Sequence, residues 1–259
     1  MIKKTCPEPV EWKRNQKAAF SMVEMLVVLG IIAVLVALAI PAISTMQKSY
    51  NSTGTESMIG SALATARTLA ISHQQYAGVR FQKAGDPNNV RKADQYMIFI
   101  IYEEPKKMSN LTDAFRAVDG YKPMKLPENI GIMDMTNINL DANINDDTKL
   151  SDATTFSIIF SPAGKLVKHL VQTRNKDGVT GVTGNSSKDD VFNTENNITA
   201  TPPIGMFRQD NVQEQSRNGF VIYNREQFNN LNVNTRYSEY LKNLNSVYVN
   251  AYTGELIGK

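Results

Sequence analysis

From Ala18 to Ile43 the chain is apolar almost without interruption, and Ser21 and Glu24 are the only polar side chains in the stretch. Its last 19 residues, Met25 to Ile43, carry no charge. As a helix rising ~1.5 Å per residue they would extend roughly 29 Å, about the thickness of a bilayer core. After Pro41 the pattern turns amphipathic. Met46, Ile59, Leu63, Ala66 and Ala70 mark one face, the last four spaced by four, three and four residues. The spacing predicts one helix from about Phe20 to about His73, its first half in a membrane and its second half laid against a soluble domain.

Beyond His73 the period changes from helical to alternating. AGVRFQ (77–82), QYMIFIIY (95–102), TFSIIF (155–160), GKLVKHLVQT (164–173), GFVIYN (219–224) and SVYVN (246–250) are rich in β-branched and aromatic residues and bounded by turn formers, so they read as strands. The fold class is α+β: a long N-terminal helix packed on an antiparallel β-sheet head. Residues 136–155 and 175–218 are poor in apolar side chains and heavy in Asn, Asp, Ser, Thr and Gly. Such stretches bury too little surface to repay ordering alone, and they are predicted to be excursions from the sheet. Residues 224–244 suggest one or two short helices before the last strand.

Charge divides the chain unevenly. Residues 1–19 hold five basic side chains against Glu8 and Glu11, a surplus of three that accounts for the whole net charge of +3. Basic residues before an apolar span place 1–19 in the cytoplasm and send the remainder across the membrane. The remainder is balanced, which gives little support to a global nucleic-acid role. Cys6, the only cysteine, also lies in the first 19 residues, so the rest of the chain forms no internal disulfide.

Three readings compete for the apolar segment. A secretory signal peptide would have a core of ~7 to 15 residues followed by a small-x-small site; Ala37-Leu38-Ala39 fits in letters, but the core is long and Pro41 follows closely. A plain signal anchor explains length and flanking charge, yet gives no reason for Glu24, since an acid costs up to ~3 kcal/mol near the bilayer centre and less near a helix end. The third reading rests on Lys17, Ala19, Phe20, Ser21, Met22, Val23, Glu24 and the run to Ile43: a basic leader, a small residue, Phe, a polar residue, an acid and about 20 apolar residues. This pattern resembles the class III signal of type IV pilins and type II secretion pseudopilins. The resemblance implies a prepilin peptidase that cuts between Ala19 and Phe20 on the cytoplasmic side and methylates the new amine of Phe20. It implies that Glu24 then meets the N-terminal amine of a neighbouring subunit during assembly, a pairing that makes a costly acid tolerable in low dielectric. The family usually has Gly where this chain has Ala19. Gly30 and Pro41 match places where pilin helices loosen within filaments; Gly weakens a helix and Pro removes a backbone donor.

Fragments of the head are similar to minor pseudopilins of the H type: SALATARTLAISHQQYAGVRFQ (61–82), LPENIGI (126–132), FSPAGKL (160–166) and NAYTGEL (250–256). In the third, Pro162 presets φ and Gly164 can take a left-handed position in a hairpin turn. The organisation that follows is a cleaved cytoplasmic leader (1–19), a transmembrane and filament-core helix (20–43), a periplasmic helical half (44–76) and a β-rich head (77–259) in the pilin-like arrangement. The expected protein is a non-enzymatic subunit of the inner membrane, single-pass with its head in the periplasm, incorporated in a pseudopilus. Its partners would be a prepilin peptidase, other pseudopilins and the inner-membrane assembly platform. Two rivals stand beside it: a minor pilin of a type IV pilus or DNA-uptake system, and a membrane-tethered periplasmic ligand-binding domain.

Enzymatic chemistry has no usual sequence support. No HExxH, paired-Cys, Walker A or GxSxG pattern is present. His73 closes the predicted helix, and His169, with Lys165, Lys168 and Arg174, reads as part of a solvated strand face. Asp189 and Asp190 in the Gly-rich GVTGVTGNSSKDD (178–190) fall far short of a calcium ligand set, so no metal and no cofactor are expected.

Overall fold

The helix expected from the apolar and amphipathic patterns forms as one element, α1 (Met22–His73). The computed structural model describes residues 21–85, 91–104, 114–134, 144, 147–179, 187–232 and 234–258, and of residues 38–53 the backbone only. By its contacts the chain divides into two units, Met1–Lys48 and Ser49–Lys259. α1 begins in the first and ends in the second, and it runs unbroken through Gly30 and Pro41.

In the second unit, Ile59, Ala62, Leu63, Ala66, Leu69 and Ala70 of α1 are buried together. They recur every three or four residues and so share one helical face. That face packs on a six-stranded antiparallel sheet in the order β3-β2-β1-β6-β7, with β4 also on β2. These strands are β1 (Ala77–Lys83), β2 (Gln95–Glu103), β3 (Ala114–Ala117), β4 (Met124–Lys125), β6 (Phe156–Phe160) and β7 (Leu166–Val167). Alternation sends Ala77, Val79, Phe81, Met97, Phe99, Ile101, Phe156, Ile158 and Phe160 toward α1. Gly78 has no room for a side chain, since a Cβ there would sit 2.1 Å from the Ile158 carbonyl oxygen of the neighbouring strand.

The turn between β6 and β7 has the form its sequence suggests. Gly164 has φ +72°, its N–H donates to Ser161 O at 2.8 Å, and its own carbonyl accepts from Arg67 Nε of α1 at 2.8 Å. A left-handed glycine thus ties the turn to the helix.

A second antiparallel sheet has the order β14-β13-β12-β5, built from β5 (Ile130–Asp134), β12 (Gly219–Asn224), β13 (Ser246–Val249) and β14 (Leu256–Gly258). One face adds Ile132, Phe220, Val247 and Val249 to the α1 core. The other face, with Met133, Val221 and Tyr223, is covered by Leu150 of α2 (Asp147–Thr154), Phe228 of α4 (Arg225–Asn230), and Tyr240 and Leu241 from the π-type and 3-10 turns at Arg236–Tyr240 and Leu241–Asn243. Asn224 caps α4, its side chain accepting from the Gln227 N–H at 2.9 Å.

Gln95 joins the two sheets. Its side-chain amide behaves as a piece of strand: Oε1 accepts from the Ile132 N–H at 2.8 Å, and Nε2 donates to Ile132 O at 2.9 Å and Thr154 O at 2.8 Å. Gln95 is 1% exposed, so its loss would strand three buried backbone groups. Gln95→Leu is expected to cost about 3 kcal/mol, read as a lower denaturation midpoint with an unchanged m-value.

One strand expectation needs correction, and the two polar excursions carry structure of their own. Residues 164–173 do not form one strand: β7 stays on β6, while β8 (Leu170–Val171) pairs with β11 (Glu214–Gln215). The break falls at His169, whose N–H donates to Ser216 Oγ at 2.9 Å. The excursion 136–155 contains the helix α2, anchored by buried Leu150 and Ala153; residues 135–143 and 145–146 lie outside the described residues. The excursion 175–218 covers the second face of the first sheet. Val191, Phe192 and Phe207 pack with Ile98, Ile100, Phe115, Ala117 and Ile159. It carries β9 (Phe192–Asn193), the parallel β10 (Phe207–Arg208) and the short α3 (Glu195–Ile198).

Candidate processing and assembly segment

Ser21 immediately precedes the first helical residue, and Glu24 stands three positions on. The Ser21 N–H donates to Glu24 Oε2 at 2.8 Å, and the Glu24 N–H donates to Ser21 Oγ at 3.2 Å. The Met25 N–H closes the first turn on Ser21 O at 3.2 Å. This reciprocal pair is a capping box; it satisfies two of the N–H groups that a helix start leaves without intrahelical partners. It also sets the carboxylate at the positive end of the helix dipole. Glu24 therefore has a partner within its own chain, beside the intersubunit role that the resemblance implies.

Every described side chain from Ser21 to Ala37 is exposed. Met22 is 90% exposed, Leu26 70% and Leu35 61%. A helix that is apolar all round belongs in lipid or among other helices. Among the described residues no helix is long and apolar enough to cross a membrane; the span expected over 25–43 continues past Ala37 into residues whose side chains lie outside the described ones. Ala19 and Phe20 also lie outside the described residues, as does the side chain of Pro41. A Cβ added at Gly30 would meet nothing within 4 Å.

Asp177, just before the Gly-rich stretch, and Asp189, near its end, bond groups of the excursion itself. Asp189 accepts from the Lys176 N–H at 2.7 Å and the Val191 N–H at 2.9 Å; burial pushes its carboxyl up, against the pull of those backbone donors. Asp177 accepts from the Lys188 N–H at 2.7 Å and Ser187 Oγ at 2.9 Å, and the Lys188 N–H holds its carboxyl below the usual range. Both act as turn braces, and residues 180–186 of the Gly-rich stretch lie outside the described residues. Among the described residues no group of three or more His, Cys, Asp or Glu side chains could hold a metal.

Of the histidines, His73 is exposed at the end of α1. His169 departs from the solvated strand face expected of it. Its ring is half-buried, 4.4 Å from Tyr76, 5.5 Å from Phe115 and 5.7 Å from Tyr102 between centroids, and Nδ1 lies 2.7 Å from Leu170 O. The strand break turns this ring onto the aromatic cluster, where it serves as packing.

Residues 14–40 match the family model of the prokaryotic N-terminal methylation motif. The matched segment contains Ala19, Phe20, Ser21 and Glu24, and it is a prepilin-type signal of the kind found on type IV pilin-like proteins. A signal of this type implies processing by a prepilin peptidase and assembly with other pilin-like subunits. No curated protein and no solved structure matches the chain.

Proposed function

We propose that this chain is a non-enzymatic filament subunit, made as a precursor, cut between Ala19 and Phe20, N-methylated on Phe20, and held in the inner membrane by residues 20–43 with its head in the periplasm. The observation that carries this reading is an apolar helix uncovered on every side, directly joined to a prepilin-type signal. Bilayer covers that surface before assembly, and neighbouring helices cover it afterwards. Glu24, held by the Ser21 N–H in the single chain, exchanges that neutral donor for the cationic Phe20 amine of a neighbour, so that its charge meets a full opposite charge in low dielectric. Gly30 and Pro41, helical in the single chain, are where α1 loosens in the filament.

The system is type II secretion, and the subunit a minor pseudopilin of the H type acting near the tip or in initiation. Support for that assignment comes from the head fragments 61–82, 126–132, 160–166 and 250–256, and from the turn at Gly164 that ties to α1. The test is the mass of the mature N-terminus from isolated membranes. The expected species begins at N-methylated Phe20; a chain that begins at Met1 or follows Ala39 would sink the filament reading.

A further inference from the structure

Four segments of polar sequence close around a cleft of about 490 Å³: residues 82–85 at the end of β1, the end of α2 with Thr155, α3 with Thr199, and residues 208–214. The volume lies within the ~300–1,000 Å³ typical of ligand sites. Asp152, Glu195, Asp210 and Glu214 line it against Lys83 and Arg208. Most of these charges are already engaged. Arg208 pairs with Glu195 at 2.8 Å, Asp210 is held by Arg80 and by Thr173, and Lys83 and Asp152 have partners of their own. Glu214 is left over; among the described residues its carboxylate has no hydrogen-bonded or ion-paired partner.

The apolar lining narrows the ligand further. Ala84, Ile198 and Val212 share the cleft with Glu214, and Val212 is 67% exposed. Glu214 itself is half-buried. Burial pushes its carboxyl above the usual range; Asp210 and Asp152 add repulsion, against the pull of Arg80 and Arg217. An exposed valine, Val212, in the same cleft as a half-buried, unpaired acid is complementary to a side chain with an apolar stem and a cationic head. Lysine and arginine have that construction, and each gains by burying the stem while the head finds a carboxylate.

We propose that this cleft receives a lysine or arginine side chain of a partner protein, with Glu214 as its anionic contact and Val212 against its stem. The proposal stands independently of the filament reading, because every residue it uses lies in the second unit. The test uses the full-length chain in detergent micelles and fluorescently labelled tetrapeptides that differ only in a central arginine, lysine or citrulline. Arginine and lysine peptides are expected to bind at least about tenfold more tightly than the citrulline peptide, the scale of one charge-assisted hydrogen bond. Glu214→Gln removes that preference; glutamine is close to isosteric with glutamate and carries no charge, so the circular dichroism spectrum should match the parent. Val212→Ser, at an exposed position, keeps the fold and weakens the arginine peptide several-fold. Equal binding of the citrulline peptide, no binding of either cationic peptide, or an unchanged preference in Glu214→Gln would overturn the proposal. Free argininamide binding as tightly as the peptide would overturn the assignment to a partner protein.

Discussion

Asp210→Ala is expected to cost the second unit about 3 to 5 kcal/mol, the price of leaving a buried charge without its partner. Arg80 lies on β1, the centre of the first sheet, and is 1% exposed; Asp210 is 12% exposed. Ser157 Oγ, 3.3 Å from the Arg80 Nη1, and Gln82 Oε1, 3.4 Å from Nε, are neutral acceptors at long range. Neither replaces a carboxylate. Asp210 also accepts from the Thr173 N–H at 2.8 Å and Thr173 Oγ1 at 2.9 Å, so its removal frees three donors at once. The reverse change is milder: Arg80→Met leaves an acid that is nearer solvent and still holds Thr173. Hydrogen exchange of the β1 and β6 amides measures both. Protection in Asp210→Ala should fall by roughly a hundredfold to a few thousandfold, at 1.4 kcal/mol per decade, and by clearly less in Arg80→Met. A loss below about 1 kcal/mol in Asp210→Ala would mean that water reaches Arg80 and that the pair does not anchor the excursion.

The same pair shows where sequence periodicity stops informing the fold. In AGVRFQ the positions 77, 79 and 81 are apolar and 78, 80 and 82 are Gly, Arg and Gln, the pattern of a strand with one solvated face. The strand is there, but its polar face is covered, because Val191, Phe192 and Phe207 bring the 175–218 excursion onto it. That cover depends on a few anchors and on side chains such as Asp177, Asp189 and Asp210 bonding distant backbone. Composition averages these away, and the bonds to Arg80 and Gln82 span 130 and 126 residues. Strands β3, β4, β5 and β14 are two to five residues long, too short to set a period. α1, β1, β2 and β12 were legible because each repeats its pattern over several turns or pleats; β6 and β13, no longer than β5, were legible from β-branched and aromatic residues set between turn formers. At the N-terminus, SMVE is the S-x-x-E signature of a capping box before an apolar run. It was readable in advance, but the cost of an acid beside hydrocarbon directs attention to a partner outside the chain rather than to Ser21.

Those two roles of Glu24 predict different outcomes for three substitutions, and here the largest functional effect is expected. Glu24→Gln keeps an amide oxygen for the Ser21 N–H, since glutamine also serves in capping boxes, but abolishes the charge that a neighbour's Phe20 amine requires. Ser21→Ala keeps the charge and breaks the cap, at a cost of about 0.5 to 2 kcal/mol. Glu24→Ala removes both. If assembly depends on the ion pair, Glu24→Gln and Glu24→Ala yield no filaments, while Ser21→Ala reduces assembly by roughly 2- to 30-fold, the cap energy converted at 1.4 kcal/mol per decade. Sheared filaments quantified against total subunit give the readout, and the mass of the mature N-terminus checks that all three variants are still cut before Phe20. Wild-type assembly by Glu24→Gln together with failure of Ser21→Ala would make Glu24 a helix cap alone. The exposed apolar face of α1 would then have to direct packing between subunits without an ion pair to set their register.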